Sequence, residues 1–450
     1  MTNSQQAIYD ARTLGRGKML TLGLQHMFAM FGATVLVPVI TGLSMSATLL
    51  FAGLGTLIFH LLTKMRVPAF LGSSFAFLGG YAAVVSMGAQ EGLSAAESLP
   101  YACIGVFSAG IIYFVLAGLI AAFGAKKVMR FFPPIVTGPI IIAIGLTLSG
   151  SAIQNCNSNW WIALLAIAII VVCNIWGRGM IRIIPILLGV LGSYILAACF
   201  GLCDFTPVKE AAWFGLPFRW EDTAFYVFSD PKWGLIVSAI IAIVPISLAT
   251  MMEHIGDMCA ISSTTGINYL EEPGLHRTLM GDGLATMFAS LFGAPANTTY
   301  GENTGVLNLT KVFDPKVIRI AAIFAIILSF CPKFSALIAC MPASSIGGVS
   351  LVLYGMISAV GVRNIVENKV DFTKSRNVLV AALILVLAIG IKYGAGDAID
   401  LGFTKLSGLA VAALVGVILN AVLPGKDYEF GANPEGDKAV DFEINPSLRK

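Results

Sequence analysis

Charge is scarce in this sequence: Asp, Glu, Lys and Arg make up only 12% of its 450 residues. A soluble domain carries about 25%. With 57% of the residues hydrophobic, the shortage excludes a water-soluble globular protein and predicts an all-α polytopic membrane protein. The eight cysteines include no CxxC pair and lie mostly within apolar runs, which excludes a disulfide framework or metal centre of the usual spacing. No HExxH or GxSxG occurs, so neither a zinc hydrolase nor a serine hydrolase is encoded. The chain is read as no enzyme and as needing no cofactor. No cleavable signal is predicted either, since the first apolar run is long, follows Arg12, Arg16 and Lys18, and has no small-residue cleavage site.

Long apolar runs are what the chain has instead. Tyr101 to Ala125, Trp233 to Met252 and Leu406 to Leu423 carry no charge, and Met19 to Ile40 has only His26 as an ionisable group. Each is near the roughly 20 residues that a spanning helix needs. Clear spans begin near Met19, Ala47, Tyr101, Ile135, Trp160, Ile183, Trp233, Ile320, Gly347, Val378 and Leu406. Three weaker ones, Ala69 to Met87, Leu275 to Phe292 and the polar stretch from Pro295 to Lys311, bring the expected number to fourteen. With both termini cytoplasmic, the outside loops would hold only Lys209, Arg219, Lys232, Lys333, Lys392 and Lys405 of the 28 basic residues. That asymmetry follows the positive-inside rule.

The long outer loop Leu202 to Lys232 divides these spans into two sets of seven, and an odd number predicts halves of opposite orientation. Two internal echoes fit. Pro134, Gly138 and Gly145 are matched by Pro342, Gly348 and Gly355, and the interrupted segment Pro68 to Phe77 holds the same ordinal place in its half as PANTTYGEN in the other. Paired broken spans at corresponding positions point to a transporter binding site.

The stretch PANTTYGENTGVLNLTK, Pro295 to Lys311, is polar amid apolar spans. Non-helical backbone at membrane depth survives only where it is buried in protein or lines a cavity. Thr298, Thr299 and Tyr300 favour extended backbone and Gly301 permits a break. The reading is a short strand running into a half-helix whose first N–H groups lack partners and face the cavity. A second acidic group lies in MMEHIGDM, where Glu253 and Asp257 are four apart and share a helix face. Carboxylates at mid-bilayer cost at least about 2.5 to 3.5 kcal/mol, so they belong in a cavity. If Glu253 and Glu302 share that cavity, repulsion and desolvation favour a proton on one of them. Glu253, after the long apolar run, is the first choice for the coupling proton, with Asp257 as its relay. Gln25 and His26 are expected to make interhelical hydrogen bonds, and His60 and His276 to be structural or surface residues. A channel is the competing class, and accumulation against a gradient would exclude it.

These residues resemble the nucleobase-ascorbate transporters, the second type of nucleobase-cation symporter, over almost the whole chain. The family signature, an acidic, amide or proline residue followed by N-x-G-x4-T and a basic residue or glycine, is met by Glu302, Asn303, Gly305, Thr310 and Lys311. The Gln25-His26 pair, GSSFAF and EHIG are similar too. The resemblance implies fourteen transmembrane segments in two inverted seven-span repeats, with short antiparallel strands in broken spans 3 and 10. It implies a cytoplasmic N-terminus (1–18), a core domain of spans 1–4 (19–126) and 8–11 (233–331), a gate domain of spans 5–7 (127–202) and 12–14 (332–423), an extracytoplasmic loop (203–232) and a cytoplasmic tail (424–450).

The function so implied is proton symport into a bacterial cell across the cytoplasmic membrane, by a lipid-embedded homodimer that binds no nucleic acid. Glu302 opening the signature resembles the pyrimidine carriers, which implies uracil as substrate. The xanthine and urate carriers tend to have glutamine there and supply the alternative. Carried over by position, Glu253 would accept from the uracil ring N–H edge and Glu302 would hold the opposite wall. The amides of Phe75 and Gly301 would donate to its carbonyls, Ala33, Ser74 and Tyr300 would shape the slot, and Tyr354 would approach from the gate. Proton coupling would fall to Glu253, Asp257 and Glu302. Asp257 departs from those uracil carriers that have histidine there.

Overall fold

The computed structural model describes residues 7–396, 398–400, 405–425 and 428. The chain opens with α1 (Arg16–Thr41) and α2 (Met45–Leu62), then β1 (Leu71–Ser73), the half-length α3 (Leu78–Gln90) and α4 (Ala95–Phe123). Next come α5 (Pro134–Cys156), α6 (Trp160–Trp176) and α7 (Pro185–Cys199). The second half follows with α8 (Trp233–Ile243), α9 (Ile246–Thr265), α10 (Leu275–Leu291), β2 (Asn297–Thr299) and the short α11 (Gly301–Thr310). It closes with α12 (Pro315–Ser329), α13 (Pro332–Ala339), α14 (Ala343–Glu367), α15 (Ser375–Gly394) and α16 (Gly408–Val422). Among the described residues seven helices are long and apolar enough to cross a membrane, counting α8 and α9 together as the one span Trp233–Thr265, or up to eight if α12 and α13, bent by 87°, form one span. Helices α6, α7 and α16 are shorter and apolar. The interrupted segments at 69–87 and 295–311 are each a strand followed by a short helix, the second as its composition predicts and the first as the resemblance implies.

Local chemistry sets the boundaries. Ser94 and Glu97 form a reciprocal capping box at the start of α4, satisfying two orphan donors. Helices α5, α7, α12 and α13 begin with proline, whose missing N–H costs nothing there. Inside a helix the same residue is disruptive. Pro245 accordingly separates α8 from α9, and the eighth apolar run is two helices rather than one. Glu253 therefore sits well inside α9, which continues to Thr265.

Helix packing repeats itself across the two halves. Helix α4 packs on α10 and α8 as α12 packs on α2 and α1, and α6 packs on α7 and α14 as α15 packs on α16 and α5. Helices α5 and α14 run antiparallel and in close contact. A methyl on Gly138 would press on Ile365, and one on Gly145 would fall 2.2 Å from the Tyr354 carbonyl oxygen, so these glycines permit close helix approach. The echo is uneven: Gly348 packs on Ala163, while Gly355 faces open space.

Candidate functional site

Two broken segments meet at the centre. Strands β1 and β2 pair antiparallel, Leu71 with Thr299, Gly72 with Thr298 and Ser73 with Asn297. Ser74 N–H donates to the Ala296 carbonyl (2.8 Å) and Tyr300 N–H to that of Phe70 (3.0 Å), extending the ladder at both ends. The pairing satisfies backbone groups that a lone extended segment would leave bare at this depth. Neighbouring helices tie it down: Asn297 Nδ2 donates to the Phe51 carbonyl on α2 (2.9 Å), and Thr286 of α10 donates to the Asn297 carbonyl (2.9 Å).

Helix α11 starts beside this ladder, and the positive end of its dipole opens there. Its first turn carries Glu302. A methyl on Gly301 would lie 3.7 Å from Asp257 Oδ1 on α9, so the start of α11 and the acidic stretch of α9 face one another. Glu253, Asp257 and Glu302 are all half-buried, while Gly301 and Gly256 are exposed between them. The Glu302 carboxylate lies within electrostatic range of Glu253. The two acids expected to share a cavity are thus brought together.

The residues expected to shape the slot are buried within the protein. Ala33, Ser74, Phe75, Tyr300 and Tyr354 are buried, and the Phe75 and Tyr354 rings meet edge to face at 6.2 Å between centroids. Tyr354, on α14, thereby meets the segment that follows β1. Tyr300 is held away from free rotation: its hydroxyl donates to the Ser73 carbonyl (3.0 Å) and accepts from Thr34 (3.2 Å). The ring fits because Gly72 has no side chain, and a methyl there would fall 2.5 Å from the ring. His26 meets the signature, as expected of an interhelical contact: Asn303 Nδ2 donates to its carbonyl (3.0 Å) and contacts its Nδ1 (3.2 Å). His60 Nε2 contacts the Ala69 carbonyl at 2.9 Å inside the protein, which makes it structural. A cavity of about 700 Å³ between Tyr9, Lys18 and Thr310 contains none of these groups.

Two residues that sequence reasoning passed over complete the cluster. Asp282, on α10, and His254, on α9, are both fully buried, with Asp282 Oδ2 3.4 Å from His254 Nδ1. Thr299 Oγ1 donates to Asp257 Oδ2 at 2.8 Å and lies 3.5 Å from His254 Nδ1. A charge in the middle of the apolar Leu275 to Phe292 run was the signal for Asp282.

Residues 17–396 match the profile of the Xan_ur_permease family, described as a permease family. The chain belongs to that family, the nucleobase-ascorbate transporters. This permease is 41% identical to the uracil permease of Bacillus caldolyticus over 93% of its own length and 94% of that protein. It is 40% identical to the uracil permease of Bacillus subtilis over 90% of this chain and 92% of that one, and 36% identical to that of Escherichia coli K12 over 90% of each. Among solved structures it resembles the transmembrane domain of the cyanobacterial bicarbonate transporter BicA, with a TM-score of 0.59, 15% identity, and coverage of 92% of this chain and 99% of that one. It also resembles SLC26A9, with a TM-score of 0.62, 13% identity, and coverage of 92% of this chain and 66% of that one. At that identity the likeness is one of fold. The permease is a multi-span membrane transporter and not an enzyme.

Proposed function

We propose that this permease is a proton-coupled symporter that imports uracil across the bacterial cytoplasmic membrane. The observation that carries the reading is the approach of Glu253, on α9, to Glu302, at the start of α11 beside the β1–β2 ladder, in a chain similar to curated uracil permeases over nine-tenths of its length. Uracil is planar and neutral, with ring N–H donors and carbonyl acceptors at alternate edges. Carboxylates at Glu253 and Glu302 would accept from the N–H edge, and the free amides at Phe75 and Gly301 would donate to the carbonyls. Ala33, Ser74 and Tyr300 would wall the ring, with Tyr354 closing from the gate.

Fourteen spans in two inverted repeats are part of the same proposal, supported by the matched packing of the two halves and the antiparallel β1–β2 and α5–α14 pairs. Residues 19–126 and 233–331 would form the core that carries the substrate, and 127–202 and 332–423 the gate against which it moves. Cytoplasmic termini and a homodimer in lipid belong to this reading too. Apolar side chains exposed on α6 and α15, such as Trp161 and Val386, would face the lipid. The test is uptake of labelled uracil into proteoliposomes under an imposed proton gradient, with xanthine and urate as competitors. Uptake indifferent to the gradient would refute symport, and competition by xanthine at equal concentration would refute the substrate.

A further inference from the structure

We propose that the coupling proton is stored outside the substrate slot, on the buried Asp282–His254 pair, and reaches it from Asp257 through the hydroxyl of Thr299. The inference rests on the symport reading above and assigns roles to three residues outside the slot. Asp282 and His254 are wholly buried, and neither carboxylate oxygen of Asp282 has a hydrogen-bond partner in the protein. The nearest polar atom of the pair is His254 Nδ1 at 3.4 Å. A bare carboxylate so placed carries the full desolvation penalty, whereas a pair that holds one proton between its members does not.

Thr299 supplies the connection. It stands on β2 with its hydroxyl donating to Asp257 Oδ2 at 2.8 Å and 3.5 Å from His254 Nδ1. Asp257 is half-buried opposite the exposed Gly301, so it has an access to solvent that the fully buried Asp282 lacks. Loading is then a balanced exchange. A proton from solvent adds to the Asp257 carboxylate and is donated to Thr299 Oγ1, while the hydroxyl of Thr299 turns from Asp257 and its hydrogen passes to His254 Nδ1. The imidazolium shares that hydrogen with Asp282 Oδ2, leaving Asp257 ionised and the Thr299 hydroxyl restored. Unloading reverses each transfer. The two longer separations stand at the outer limit of a hydrogen bond and must shorten by a few tenths of an ångström for transfer.

The charged and titratable groups around the store are few. Glu253 and Asp257 on α9 act on Asp282 through their charge, Tyr113 of α4 feels Asp282 while donating to Thr250, and Glu302 on α11 acts on Asp257. Phe59 covers His254, ring edge to face at 6.1 Å. The arrangement separates two jobs that a single carboxylate would have to combine, because Glu253 and Glu302 can stay committed to the substrate edge while the proton sits one layer deeper.

The test uses Thr299→Val, which keeps shape and strand propensity but removes the hydroxyl, with Thr299→Ser as the conservative restoration. Reconstituted into proteoliposomes at a driving force of 100 mV, a one-proton symporter accumulates labelled uracil roughly fifty-fold. The Val variant should bind labelled uracil as the wild type does and exchange it across the membrane without accumulating it, and a pH-sensitive dye should report no proton uptake with uracil. The Ser variant should regain accumulation. Asp282→Asn, which cannot take the proton, should match the Val variant. Accumulation by Thr299→Val equal to wild type would overturn the relay while leaving symport intact. A wild type that fails to accumulate would instead overturn the symport reading on which the relay rests.

Discussion

Replacing Glu253 by Gln keeps the side chain's length and removes its charge, at a position where α9 faces the start of α11. If the carboxylate accepts from the ring N–H edge of uracil, the lost bond is a charge-assisted one, worth about 1.5–3 kcal/mol. At about 1.4 kcal/mol per tenfold, binding should weaken by roughly ten- to a hundredfold. One effect opposes this: Glu302 acts on Glu253, and removing one of two neighbouring acids relieves their repulsion. The same relief gives the experiment its control, because the Gln variant should melt no lower than wild type even as it binds less well. Isothermal titration of uracil into detergent-solubilised protein, paired with a thermal melt, separates the two effects. An unchanged dissociation constant would show that Glu253 is not part of the slot, and a fall in both quantities would show that the variant had merely lost its structure.

Asp257→Asn should displace the pH dependence of uptake between about pH 5 and 8 more than it weakens uracil binding at acidic pH. Identical uptake profiles for the variant and wild type would leave Asp257 without a coupling role. Gly72→Ala places a methyl 2.5 Å from the Tyr300 ring and should cost about 1–3 kcal/mol as overpacking, read as a lower melting temperature together with weaker uracil binding. An unchanged melt would mean that the ladder has room to shift. A tag on either terminus should be inaccessible from outside intact cells, since 22 of the 28 basic residues fall in the loops and termini assigned to the cytoplasm, and labelling from outside would reverse the topology.

The amino-acid sequence by itself determined the membrane class, the position of the main helices and the two places where a span is interrupted. These are properties of composition along the chain: length of apolar run, proline, glycine and cap residues act on their own neighbours. It also marked Glu253, Asp257 and Glu302, since a charge inside an apolar span is costly wherever the span goes. What only the tertiary structure decided is which of those spans face one another. Helical periodicity places His254 on a different face of α9 from Glu253 but does not say that α10 lies there with Asp282, and nothing local to Tyr300 says that its ring lies over Gly72 of β1. The division of the Trp233 run at Pro245 is an intermediate case, since the proline was visible but the apolar composition is the same for one helix or two. Strand register, close helix contact at Gly138 and Gly145, and the meeting of Thr299 with both Asp257 and His254 depend on residues far apart in the chain. Such contacts are fixed by the packing of whole helices, and no local pattern encodes them.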